Sequence, residues 1–269
     1  MSLSKLFVAR FGDPGAVEEI EEIAGIAGRG SCRRFIDRPV PDTLVRTLCA
    51  TALAAPSKSD LQQRDILIVT DPAIRQGLEA ACGQDWIARA PVFLVFLANH
   101  RRQQRLARMH EIPFANNHAD APFNAAMDAA IAMATFVAAA ERAGLGCCPV
   151  STIRNRPDEV ADLLALPDYV FPAMGLAVGW PDGTPRISKR LPLATTLHEN
   201  RFDDTGEEAA IEAYSRARAK TQPFTTQRQV ARFGPSASYG WSEDKARQYA
   251  VPDRAGWGAY LRRIGFSLT

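Results

Sequence analysis

The five cysteines of this 269-residue chain, Cys32, Cys49, Cys82, Cys147 and Cys148, are odd in number and show neither zinc-knuckle nor Cys-x-x-Cys spacing. That pattern argues against a disulfide framework and a cysteine-built zinc site, and it is the usage expected where thiols stay reduced. An excess of one charge is missing too. With 32 basic and 30 acidic residues the formal net charge is +2, too even for a surface built to hold nucleic acid or anionic membrane. No apolar run reaches the roughly 18 residues of a membrane span. The longest, Ala129 to Ala140, is closed by Asp128 and Glu141 and reads as a buried helix. Met1 to Arg10 holds only Leu6, Phe7 and Val8 as an apolar cluster, short for a secretory leader and without a cleavage pattern. A cytoplasmic protein with no membrane or nucleic-acid partner is the expectation. Hydrophobic residues at 46% and charged residues at 23% match a folded globular chain.

Motifs are missing as well. There is no Gly-x-Ser-x-Gly elbow, no phosphate loop and no His-Glu-x-x-His pair, so the common nucleophile, nucleotide and zinc signatures are excluded. The four histidines, His100, His110, His118 and His198, lack ligand spacing and imply no metal. Gly144-Leu145-Gly146 opens like a dinucleotide fingerprint but follows a helical stretch, and Pro149 stands where the third glycine belongs. A Rossmann site is therefore not expected.

What is present reads as mixed helices and strands. Helical spacing predicts helices over Ala16 to Ala27, from Pro41 through Ala52, over about Asn124 to Ala143, and from Pro157. In the second, Asp42 is placed to accept from the free amides of the first turn. Asp65 to Thr70, Pro91 to Ala98 and Phe171 to Val178 read as strands, and Asp71-Pro72 as a helix cap and first turn. The order lacks a clean alternating period, so α+β is the expected class. The alanine-rich helix has so little polar content that the sheet or a second subunit must cover most of it. After Trp180 prolines cluster and apolar groups thin out, which suggests a core over 1–200 and an arm over 201–269 packing on that core or on a partner subunit. Within Tyr214 to Arg232, Arg216, Arg218, Lys220, Arg228 and Arg232 face no acidic residue in sequence.

Four separated segments carry matching chemistry. Arg29, Ser31 and Arg33 alternate along a stretch expected to be extended, which sends all three to one side. Guanidinium and hydroxyl groups are good phosphate ligands, although a pair of solvated arginines beside a loop serine is the more ordinary reading of that triplet standing alone. Pro56-Ser57-Lys58-Ser59-Asp60-Leu61-Gln62 is a polar loop before a buried strand, either a site or a plain connector. Gly144 to Arg154 pairs a glycine turn with Pro149, Val150, Ser151 and Thr152, whose amides are free to face a ligand. Arg186, Lys189 and Arg190 add cations ahead of Leu191-Pro192.

Together these segments resemble the FMN-dependent nitroreductase and flavin reductase family, and most of all its NADPH-using, oxygen-insensitive branch. The similarity runs from about Ala16 to Asn200 and weakly through the tail. Arg29-Gly30-Ser31-Cys32-Arg33-Arg34-Phe35 is similar to the family's Arg/His-x-Ser-x-Arg/Lys-x-Phe opening. The loop at Pro56 to Gln62 resembles Pro-Ser-x-x-Asn-x-Gln, and Val178-Gly179-Trp180-Pro181, Arg190-Leu191-Pro192 and His198-Glu199-Asn200 resemble branch-specific stretches. By that resemblance Arg29, Ser31, Arg33, Lys189 and Arg190 hold the phosphate and ribityl end of FMN. Ser57, Ser59, Asp60, Gln62 and Gln84 lie near the flavin, and the Pro149, Val150, Ser151 and Thr152 segment brings a backbone amide to flavin N5. Asp60 stands where the family has asparagine, and a carboxylate cannot donate a hydrogen bond. Ser151 and Thr152 replace the usual glycine, a change that narrows a pocket.

The resemblance further implies an antiparallel sheet flanked by helices, an intertwined homodimer, and ping-pong hydride transfer from NADPH or NADH through FMN to a small electron-poor acceptor such as a nitroaromatic or quinone. No side-chain nucleophile is required. Arg216, Arg218, Arg228 and Arg232 would meet the 2′-phosphate of NADPH or form a partner-facing arm. Phe114 would be either a lid over the acceptor or a surface anchor. Cys147 and Cys148 read as packing rather than as a redox pair. Two alternatives stay open: a flavin reductase or specialised aromatic-substrate reductase or dehalogenase on the same fold, and a flavin-free binding protein.

Overall fold

A computed structural model describes all residues, 1–269. Along the chain the elements are α1 (Leu3–Phe11), α2 (Glu21–Ala27), α3 (Asp42–Leu53), β1 (Arg64–Val69), α4 (Pro72–Cys82), β2 (Val92–Asn99), α5 (Arg101–Met109) and α6 (Asp120–Arg142). There follow β3 (Gly146–Val150), α7 (Pro157–Leu163), β4 (Val170–Gly179), α8 (Leu193–Thr196), α9 (Glu207–Thr221), α10 (Val230–Phe233), α11 (Trp241–Tyr249) and α12 (Trp257–Arg263). They form two compact units interleaved in sequence: Met1–Arg29 with Ile187–Asp253, and Gly30–Arg186 with Arg254–Thr269. The sequence reading instead draws one boundary at 200.

The second unit holds a four-stranded sheet in the order β1-β2-β4-β3, with every neighbouring pair antiparallel. This is the α+β arrangement expected. The interior strand β2 is apolar almost throughout because both of its faces are covered. Leu94, Phe96 and Ala98 join the cluster of α3 and α6, and Phe93, Val95 and Leu97 join that of α4 and α7. Helix α6 lays Ala121, Ala125, Ala129, Ala132, Phe136 and Ala140 into the core, small side chains that let a helix approach a sheet closely. Its opposite face carries Phe123, 62% exposed, with Met127 and Ile131. The sequence reading of a helix covered on most sides thus holds for one face of this unit.

Three local expectations need correction. The predicted helix over 16–27 begins only at Glu21. The Glu19 carboxylate instead accepts from the amides of Leu3 and Ser4 at 2.8 and 3.0 Å, capping α1 and holding its own stretch of chain out of helix. Asp42 does not cap α3 but bonds the Arg46 guanidinium at 2.6 Å. Residues 146–150, read as part of a glycine turn and loop, form edge strand β3, where Pro149 is tolerated.

The last segment of the expected 201–269 arm packs on the sheet-bearing unit. Tyr260, Leu261, Ile264 and Phe266 are buried in the main cluster of the second unit, so the last segment completes that core. In the first unit Leu3 and Leu6 of α1 are buried, and Tyr214 of α9 meets Trp241 of α11 edge-on at 5.1 Å between ring centroids.

Candidate functional site

Cations from three parts of the first unit converge. Arg29, Lys189, Arg190 and Arg218 line one cleft of about 590 Å3, whose walls include Phe7, Phe11, Leu191, Tyr214 and Trp241. Helix α9 presents Arg218 there: its Nη1 donates to the Tyr214 hydroxyl at 2.9 Å, while its Nε is buried without a protein acceptor. Arg190 is exposed, its side chain donating to the Lys189 carbonyl at 3.3 Å. Positive charge on an apolar, aromatic wall suits an anionic group attached to a ring.

Three other arginines of the tail are engaged elsewhere. Arg216 pairs with Glu212 at 3.3 Å on an exposed part of α9. Arg228 pairs with the buried Asp244 at 3.2 Å, and Arg232 donates to the Ala250 carbonyl at 2.8 Å. Burial raises the Asp244 carboxyl, but bonds from Lys245, Tyr239 and Arg228 outweigh it and hold the group below its ordinary range. Acidic partners from outside the Tyr214 to Arg232 window therefore pair with two of the five cations in excess there.

In the second unit Ser31 and Arg33 are exposed and the intervening Cys32 is buried, the alternation of extended chain. The Cys32 amide donates to the Cys147 carbonyl at 2.9 Å, which lays this segment along the edge of β3. Gly30 is required by close approach: a Cβ there would stand 2.5 Å from the Arg186 carbonyl oxygen.

The polar loop before β1 is held in strain. Ser59, Asp60 and Gln62 all have positive φ, at 48°, 55° and 52°, conformations that cost L-residues about 1–2 kcal/mol each. Asp128 of α6 grips both ends of the loop, accepting from the Lys58 amide at 3.1 Å and the Gln63 amide at 2.9 Å. Its charge is matched by Arg64 at 3.7 Å, with the two side chains only 1% and 4% exposed. Inside the loop the half-buried Ser57 hydroxyl accepts from the Gln62 amide, and the Gln62 side chain donates to Asp60. Asp60 thus acts as an acceptor. Phe114 joins this group, its ring edge-on to His100 at 5.3 Å, and His100 shares a 2.7 Å hydrogen bond with Gln63.

A second cluster forms where β3 ends. Thr152 has its hydroxyl buried beside the Cys82 thiol, bringing the Gly83-Gln84 turn up to the Pro149–Thr152 stretch. The Gln84 side-chain oxygen Oε1 accepts from the Trp86 indole at 3.0 Å, and Ser151 is exposed. The chain therefore links Phe114 to the end of the 57–63 loop through His100 and Gln63, and the turn before Gln84 to Thr152 through Cys82. Burial pushes the Cys49 and Cys82 thiols up to about 11. Cys147 and Cys148 are buried in different hydrophobic clusters, so strand alternation sends their side chains apart.

Two residues were not singled out from sequence as functional. Asp128 was legible as the lone acidic residue inside the alanine-rich helix between Asp120 and Glu141. Arg10, buried at 7% exposure, carried no signal, because its partners are backbone carbonyls.

Comparison with known proteins identifies the family of the chain. Residues 26–180 match the model of the nitroreductase family, and residues 188–269 match that of the nitroreductase family, C-terminal domain. FMN reductase [NAD(P)H] of Bacillus subtilis is 34% identical over 198 residues, 72% of this chain and 80% of its own. The oxygen-insensitive NADPH nitroreductase of Salmonella typhimurium is 33% identical over 183 residues, 68% and 75% of the two chains. Among solved structures, NfrA2 of B. megaterium superposes with a TM-score of 0.84 at 30% identity, covering 93% of this chain and 99% of its own. The NADPH:FMN oxidoreductase of Vibrio harveyi, complexed with NAD+, gives 0.77 at 28% identity, covering 91% and 97%.

Proposed function

The chain belongs to the nitroreductase family, and on that basis we propose that it is an FMN-dependent NAD(P)H oxidoreductase acting on small electron-poor acceptors. The observation that carries this reading is the convergence of Arg29, Lys189, Arg190 and Arg218 on one aromatic-walled cleft. The donor set fits phosphate-bearing ligands: Arg29, Lys189 and Arg190 for the phosphate of FMN, and the Arg218 Nε, buried without a protein acceptor, for that of NADPH. When bound, FMN supplies the centre that takes a hydride from the nicotinamide and delivers it to the acceptor, while the protein supplies binding, orientation and electrostatics.

In this reading Arg29, Lys189 and Arg190 hold the phosphate, with Ser31 and Arg33 toward the ribityl chain. Ser57, Ser59, Asp60, Gln62 and Gln84 offer hydrogen bonds to the ring system. The backbone of Pro149 to Thr152 orients its reactive edge, and Phe114 borders the acceptor. Of the tail arginines, Arg218 is the candidate for the 2′-phosphate of NADPH, because Arg216, Arg228 and Arg232 are engaged with other groups. The open Phe123, Met127 and Ile131 face of α6 is the surface a second copy would cover in a homodimer, and a cytoplasmic location accords with five free thiols.

The test is the visible absorbance of the purified protein before and after anaerobic addition of NADPH, with the released cofactor identified. A flavin band that bleaches with NADPH and is traced to FMN supports the reading. A colourless protein that takes up no added FMN overturns it and leaves a flavin-free binding protein. Turnover compared on nitroaromatics, quinones and free FMN then separates a nitroreductase from a flavin reductase.

A further inference from the structure

We infer that residues 1–20, which lie outside the family-matched segments, act as a strap, and that Arg10 is a positioning residue for the cations that receive the phosphate. The inference rests on the reading of Arg29 and Arg190 as phosphate ligands. The Arg10 guanidinium is spread over carbonyls of two distant segments. Its Nε and Nη2 donate to Ala27 at 2.8 and 2.6 Å, Nη2 also to Arg29 at 2.7 Å, and Nη1 to Ser188 at 3.1 Å. In return the Arg10 carbonyl accepts from the Arg190 amide at 2.6 Å. One buried residue thereby ties the backbone of Arg29 to that of 188–190, the two stretches whose side chains line the cationic cleft.

Arg10 also lines the cleft, but its Nε, Nη1 and Nη2 are all engaged with carbonyls, so it acts through these residues rather than on the ligand. Its planar fork reaches carbonyls in several directions at once, which the single point donor of lysine cannot reproduce. Helix α1 is held separately by buried Leu3 and Leu6 and by the Glu19 cap, so Arg10 can be replaced while the helix stays docked. Its removal would leave three carbonyls without this donor and free the Arg29 and Arg190 backbones to shift, which matters because ligand placement tolerates little displacement.

The experiment compares binding of FMN and of riboflavin, which lacks the phosphate, to the full-length apoprotein of the parent, Arg10→Lys, Arg10→Gln and Arg190→Ala. Thermal unfolding serves as a folding control. Both Arg10 variants are expected to weaken FMN about tenfold, the loss typical of an outer-shell partner, with riboflavin within about twofold of the parent. The inference is overturned if Arg190→Ala weakens FMN selectively and the Arg10 variants do not. It also fails if FMN and riboflavin weaken together in the Arg10 variants, or if Arg10→Lys binds FMN like the parent, since charge alone would then suffice. If Arg190→Ala leaves the FMN-to-riboflavin ratio unchanged, the phosphate assignment itself fails and takes this inference with it.

Discussion

Asp128 is a carboxylate buried in an alanine helix, and a charge in that setting persists only when it is paired and its lone pairs are filled. Here Arg64 supplies the charge, and the amides of Lys58 and Gln63 fill the lone pairs, so the ion pair also fixes the strained loop. Asp128→Ala is expected to destabilise the protein by about 3–5 kcal/mol, the usual effect of orphaning a buried charge, and to raise hydrogen exchange across 57–63. A loss below about 1 kcal/mol in urea unfolding would show that the loop holds itself. His100 is the second residue with a consequence. Burial lowers its pKa below the ordinary 6.5, so the unfolded chain binds more protons than the folded one as pH falls. Its contribution is complete above 6.5 and lost below that value. The urea midpoint should therefore drop between about pH 7 and about pH 5, and His100→Asn should flatten that part of the profile.

Helices α6 and α9 each present different chemistry on their faces. On α6 the core side is alanine, while Phe123, Met127 and Ile131 repeat every four residues on the open side, a stripe too apolar to be left to water without a role. If a second copy covers it, Met127→Lys should convert a dimer into a monomer by light scattering, with little change in far-ultraviolet circular dichroism. An unchanged mass would place the contact elsewhere. On α9, Arg218 enters the cleft and Arg216 pairs with Glu212 outside it. Arg218→Ala is thus expected to raise KM for NADPH about tenfold more than KM for NADH, as removal of a phosphate contact does. Arg216→Ala should move the two constants alike. Equal effects of both variants on both donors would remove the 2′-phosphate from Arg218.

Taken whole, the chain leaves each unit and returns to it. Residues 254–269 come back to the sheet-bearing unit with Tyr260, Leu261, Ile264 and Phe266. Burying four such side chains is worth about 6–12 kcal/mol, comparable to the entire net stability of a domain. A chain ending at Asp253 should lose cooperative unfolding and become insoluble, and a soluble truncate with a sharp transition would show that the return is dispensable.

Much of this was legible in residue order. The strands around 65–70, 91–98 and 171–178, the long alanine helix, the Asp71-Pro72 start and the α+β class follow from periodicity and capping, which are properties of neighbours in sequence. The spaced arginines, the Pro56 to Gln62 loop and the glycine turn likewise carry the resemblance to the family. Other features depend on partners far along the chain. Glu19 leaves a helix to cap α1, Arg228 meets Asp244, β3 forms against β4, Arg10 gathers carbonyls from 27, 29 and 188, and Asp128 closes a loop seventy residues away. A backbone carbonyl carries no residue-type signal, and a buried ion pair is visible only once folding brings its members together. Composition and spacing therefore specified the elements and the class of ligand, whereas packing decided which cations share a cleft and what holds them there.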